Sequence, residues 1–97
     1  WDVYKHIAID EIAFFYANGK MTFAKVNKRN FPTNVQLKTL EEELFPKFLR
    51  MHKTYLINVA FIESINLKKA RVEIAEEHLP MGYAYRKEFI ERLKLLK

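Results

Sequence analysis

The 97-residue sequence contains no cysteine, two glycines and three prolines. Without cysteine there is no disulfide framework, no zinc ribbon and no thiol nucleophile. A small secreted domain often needs disulfide staples, so their absence leans towards a cytoplasmic protein. Two glycines, Gly19 and Gly82, cannot make a phosphate-cradling loop. No apolar run approaches the ~18–20 residues that cross a bilayer. The three histidines, His6, His52 and His78, lie far apart with no metal-ligand spacing. Neither Thr54 nor Ser64 sits in anything like a nucleophile elbow. No catalytic residue, no metal ligand and no cofactor is therefore expected. Internal repeats and low-complexity stretches are also missing.

What is present is a globular balance, 49% hydrophobic and 30% charged. The length suits one domain, residues 1–97, with one core. The chain starts at Trp1, not methionine, and we read it as the terminal module of a longer protein. Seventeen Lys and Arg against twelve Asp and Glu give a net charge of +5 and a pI near 9.5. A pI above ~9 is one footprint of nucleic-acid binding. The excess is concentrated in residues 20–55, which carry eight basic side chains against only Glu41, Glu42 and Glu43. Because those acids are clustered, the basic residues are left free to form a face. Charge alone also fits an ordinary solvated lysine surface.

The pattern is mostly β. Residues 3–9 alternate loosely as a first strand, broken by Asp10-Glu11. Residues 12–17, IAFFYA, are a compact strand-length aromatic run. Asn18-Gly19 supplies a turn to a partner strand over 20–27. Arg29-Asn30 turns again into a third strand over 31–37, where Pro32 implies an edge or a strand start. Thr39 opens a short helix with capping-box spacing to Glu42, and three glutamates suit its positive end. That structural role accounts for the acidic cluster without a metal. Residues 61–66 and 70–75 form a hairpin around Leu67-Lys68-Lys69. Glu76-Glu77-His78 makes the next turn. Residues 85–97 read as a terminal helix with Tyr85, Phe89, Leu93 and Leu96 on one stripe. That stripe is what a domain needs to cover its own sheet, a simpler use than membrane binding.

Residues 48–60 have no clean period. They hold the densest polar cluster, Arg50, His52, Lys53, Thr54 and Tyr55, closing with Asn58. Such side chains suit phosphate and base-edge contacts. They equally suit a polar loop whose His and Asn satisfy nearby backbone groups. Phe14, Phe15, Tyr16 and Phe23 have the chemistry to stack on unpaired bases, but core packing explains them more simply. Duplex-DNA binding, single-strand binding and protein docking are therefore the competing readings, with an enzyme well behind.

FLRMHKTYLIN, residues 48–58, resembles the central signature of the LytTR DNA-binding domain. DEIAFFYANGKMTFAKV (10–26) is similar to that family's first hairpin, and LKTLEEELFPKF (37–48) to its short helix. FIESIN (61–66) and LPMGYAYRKEFIERL (79–93) resemble the later strands and closing helix. The resemblance implies a mainly β fold of short antiparallel sheets with one short internal helix and a C-terminal helix. It implies sequence-specific binding of double-stranded DNA by a bacterial response regulator's output domain, following a receiver or other sensor domain. The isolated module would be monomeric, and dimeric on DNA repeats. Three contact regions carry over: the turn with Lys20 and Thr22; His52 and Lys53, with Arg50 and Asn58 supporting the loop; and residues 83–87 with Tyr83, Arg86 and Lys87. The family often has Ser-Arg at the third region. Here Gly82-Tyr83-Ala84 stands instead, with Arg86 or Lys87 as the substitute cation.

Overall fold

The computed structural model describes residues 7–95. Five strands form one antiparallel sheet: β1 (Phe14–Asn18), β2 (Met21–Val26), β3 (Arg29–Thr33), β4 (Phe48–Arg50) and β5 (Tyr55–Asn58). Their spatial order is β3-β2-β1-β5-β4. A smaller sheet holds β6 (Ile62–Asn66), β7 (Arg71–Ile74) and β8 (Glu77–Pro80) in that order. Helix α1 (Leu37–Glu43) joins β3 to β4, and α2 (Tyr83–Leu95) closes the chain.

Alternation along the aromatic run decides the architecture. Successive strand residues point to opposite faces. Phe14 and Phe15 are both buried, so the central sheet needs cover on both sides. On one face Phe14, Leu49 and Ile57 pack with Val72, Ile74 and Leu79 of the small sheet and Phe89 of α2. On the other, Phe15, Ala24, Val26, Phe48 and Leu56 pack with Leu37 and Leu40 of α1. The single core expected from length is thus two apolar clusters that share one sheet. Each enclosed Phe or Leu contributes ~1.5–3 kcal/mol. The aromatics Phe14 and Phe15 are core residues and leave no face for a base.

Several boundaries differ from the sequence expectation. Positions 3–6 of the expected first strand lie outside the described residues. Ile7 and Ala8 are irregular, and Ile9–Glu11 forms a 3-10 turn. Gly19, at φ +64, and Lys20 make the first hairpin turn, one residue later than expected. The second turn comes earlier, at Asn27-Lys28, because Asn27 takes the left-handed conformation that asparagine tolerates. Arg29 and Asn30 therefore lie in β3, where Pro32 does sit on a sheet edge. The turn after β7 is Ala75-Glu76, both at positive φ, which puts Glu77 and His78 in β8.

Helix α1 begins before Thr39, with Gln36 at its N-cap. Burying both Leu37 and Leu40 requires a helical turn that starts at Leu37. The capping box is therefore not used, and the glutamates occupy the C-terminal half of the helix. Helix α2 starts two residues before expectation and keeps the expected stripe at Tyr85, Phe89 and Leu93. Leu96 lies outside the described residues. The Glu88–Arg92 pair forms one turn apart along its outer side. No helix among the described residues is long and apolar enough to cross a membrane.

Candidate nucleic-acid interface

The unclassified segment 48–60 resolves into β4, a tight loop at residues 51–54, and β5. Arg50 builds that loop. Pleating places Arg50 opposite Leu56, on the face that α1 covers. Its Nε donates to the His52 carbonyl at 2.9 Å and Nη2 donates to the Lys53 carbonyl at 2.6 Å. Nη1 donates to Glu41 Oε1 at 2.8 Å. The guanidinium also lies 5.5 Å from the centre of the Tyr85 ring. One planar fork thus captures two loop carbonyls and an α1 carboxylate, which only arginine geometry allows. Glu41 is a loop-positioning residue that the sequence reading missed. Its place among three consecutive glutamates gave no signal, since only the fold brings it to Arg50.

The loop's tip presents Lys53, exposed, and His52, partly exposed. The Thr54 amide donates to His52 Nδ1 at 3.0 Å. Burial, and then the Arg50 charge, hold the His52 pKa below its ordinary 6.5. The sign of the pH effect follows. Between the two pKa values the unfolded chain takes up a proton that the folded chain refuses. This contribution to stability is complete above 6.5 and is lost as pH falls through the lower folded value. Denaturation midpoints of the native chain should therefore fall more steeply below pH 6.5 than those of His52→Gln. Parallel profiles would show that the folded histidine titrates normally.

Backbone hydrogen bonds sew three loops and the start of α2 together at this end of the molecule. The Ala17 amide, next to the Gly19-Lys20 turn, donates to the Thr54 carbonyl at 3.0 Å. The Gly82 amide donates to Met51 O at 2.8 Å, and Met81 N to Ala70 O at 2.7 Å. Arg86 Nη2 reaches the Leu67 carbonyl at 2.9 Å. The first hairpin turn, the signature loop, the start of α2 and the β6–β7 turn are therefore contiguous. Close approach at the α2 junction favours glycine: a Cβ on Gly82 would lie 3.3 Å from the His52 backbone Cα and 3.2 Å from the Tyr85 ring.

The candidate residues divide by exposure. Lys20, Lys53, Tyr83 and Lys87 are exposed, and Tyr83 is 96% so. Arg86 is partly covered and held by Leu67. Thr22 is nearly enclosed in β2, paired with Ala17 and Thr33. Asn58 is 0% exposed. Its Nδ2 donates to Ile12 O at 2.9 Å, and its Oδ1 accepts from Ala60 N at 3.0 Å. Asn58 is a buried staple with no atom at the surface. The β6–β7 turn brings two exposed cations, Lys68 and Lys69, into the same contiguous set. In the sequence they read only as turn residues.

The basic middle third does not form one free face. Lys25 pairs with Glu77 at 3.2 Å, Lys47 with Asp10, and Arg50 with Glu41. Lys28, in the second turn, and Arg29, just after it, lie at the opposite end of β2 from Lys20. The interface cations come instead from three loops and the first turns of α2. No group of three or more His, Asp or Glu positioned for a metal occurs among the described residues.

Comparison with known proteins gives one family. Residues 2–94 match the family described as the LytTr DNA-binding domain. No curated protein matches the chain. Among solved structures, the chain is similar to a LytTr DNA-binding domain assigned to a methyl-accepting/DNA response regulator of Bacillus cereus. The TM-score is 0.79 at 22% identity, over 90% of this chain and 84% of that one.

Proposed function

Because the chain belongs to the LytTR family of DNA-binding domains, we propose that it reads double-stranded DNA sequence-specifically, through loops and not through a recognition helix. The observation that carries this is the contiguity of three loops with the start of α2, which brings Lys20, Lys53, Lys68, Lys69 and Lys87 to one end of the molecule. Lysines there neutralise phosphates and release counterions, which gives sequence-independent affinity. Specificity needs groups at base edges. His52, Lys53 and Tyr83 are the projecting side chains with the reach and polarity for that. Arg50 acts behind them by positioning the loop backbone, while Asn58 holds the fold at the far end of β5.

In this reading the domain is the non-enzymatic output of a bacterial transcriptional regulator working in the cytoplasm. Residues 1–97 form the module, preceded by a receiver or other sensor domain. The isolated module is a monomer, and paired DNA repeats bring two copies together.

Selection from a randomised duplex pool, followed by anisotropy and a salt titration, tests the assignment. An enriched motif bound far above bulk duplex supports it. Salt-sensitive binding without enrichment would leave a basic domain with no readout, such as a protein-docking module. Lys53→Ala should cost ~1–3 kcal/mol on the enriched site and relax one position if Lys53 reads a base. Equal weakening on every duplex would make it a phosphate contact.

A further inference from the structure

The hydrogen-bonding sense of His52 is fixed by the backbone behind it. A ring nitrogen that accepts a hydrogen bond carries no proton, and Nδ1 accepts from the Thr54 amide at 3.0 Å. The neutral ring therefore keeps its one proton on Nε2. No buried side-chain nitrogen or oxygen among the described residues lacks a partner. Nε2 makes no hydrogen bond to another described residue, and since no enclosed polar atom is left without a partner, it is not sealed from solvent. The ring is also held in place. Gly82 packs against its Cδ2 side, where a Cβ would stand 3.3 Å away, and the Tyr55 ring lies 5.5 Å off. Arg50 fixes the His52 carbonyl. The next residue, Lys53, is an exposed ammonium with three donors and no acceptor. The side chains of His52 and Lys53 therefore offer hydrogen-bond donors only, that of His52 in a fixed orientation.

Resting on the DNA reading above, we propose that the His52 Nε2–H is a specificity-determining donor and that, with Lys53, it selects guanine in the major groove. Guanine presents two acceptors there, O6 and N7, and no donor. Adenine and cytosine each present an amino donor, which would face a donor and leave both unpaired. Thymine offers O4 alone, beside a methyl group where the second donor would need a partner. Arginine at position 52 would also donate, but histidine needs the Thr54 amide to set its tautomer. That makes Thr54 backbone geometry part of the readout.

Two measurements test this on the chain as it exists. Long-range proton–nitrogen NMR of the native domain at neutral pH should show His52 as the Nε2–H tautomer. An Nδ1–H tautomer or a charged ring would overturn the proposal, with no variant required. Duplex selection should then enrich a motif with a fixed guanine for the native chain. His52→Gln supplies one donor and one acceptor, which match adenine N6 and N7. That position should shift from guanine towards adenine, and affinity for the guanine site should fall about tenfold or more. An unchanged guanine in the variant's motif would overturn the proposal while leaving the DNA reading intact. Uniform weakening on all duplexes would do the same and make His52 a phosphate contact. No enriched motif with the native chain would overturn both.

Discussion

Arg50→Ala will reduce specific DNA binding to the level of bulk duplex while the domain remains folded. The side chain holds the carbonyls of His52 and Lys53 and pairs with Glu41, at 2.9, 2.6 and 2.8 Å. Its removal frees the loop that carries both projecting donors and leaves Glu41 without its cation. Breaking a buried ion pair by removing one partner costs ~3–5 kcal/mol. Arg50 retains 13% exposure and Glu41 29%, so solvent recovers part of that, and a loss of ~2–3 kcal/mol is expected. Chemical denaturation measures the stability, and anisotropy on selected and bulk duplexes measures the readout. Arg50→Lys should fail in the same direction, because an ammonium cannot span three partners set by a planar fork. Native-like specificity in a folded Arg50→Ala domain would remove Arg50 from any role in shaping the loop.

Asn58→Leu should show the opposite division. Leucine keeps the four-heavy-atom outline but is bulkier and cannot hydrogen-bond, so Ile12 O loses its partner in a buried site and Ala60 N loses its partner in a partly buried one. Orphaned buried groups cost ~1–3 kcal/mol each, and because solvent relieves part of the Ala60 N penalty the expected loss is ~2–4 kcal/mol. For a domain of this size that lowers Tm by about 10–20 °C. Asn58 lies at the far end of β5 from the 51–54 loop. Below the transition, affinity for the selected duplex should therefore stay near native. Unchanged stability with lost DNA binding would mean that Asn58 reaches the DNA after all.

The two substitutions separate what was legible in the sequence from what was not. Arg50, His52, Lys53 and Asn58 stand out as one polar cluster, and the match to the family signature names them together. Nothing in their spacing distinguishes a loop clamp from a buried staple or an open donor. That division follows from strand pleating. It turns Arg50 to the α1 face, drops Met51 into the opposite core, and encloses Asn58 between the 3-10 turns at residues 9–11 and 59–61. Glu41 and Lys68-Lys69 gave no functional signal, because their relevance comes from neighbours distant in sequence. Tyr83 was legible as a departure from the family pattern, but its near-complete exposure was not.

The class of the domain is written in local patterns of the chain. Short alternating apolar runs, two hairpin turn signals and a terminal amphipathic stripe leave little besides a small antiparallel fold with a covering helix. Those features are local, and local periodicity decides which face of an element seeks burial. The absence of cysteine and the scarcity of glycine excluded disulfide scaffolds and phosphate loops through composition alone. Long-range packing, by contrast, made two cores share one sheet, started α1 at Leu37, and left much of the basic middle third ion-paired or turned away. It also brought three loops and the start of α2 to one end. These depend on contacts between residues far apart in the chain, where the free energy of packing Leu37, Leu40, Phe14 and Phe15 outweighs a capping box or a turn propensity of about 1 kcal/mol.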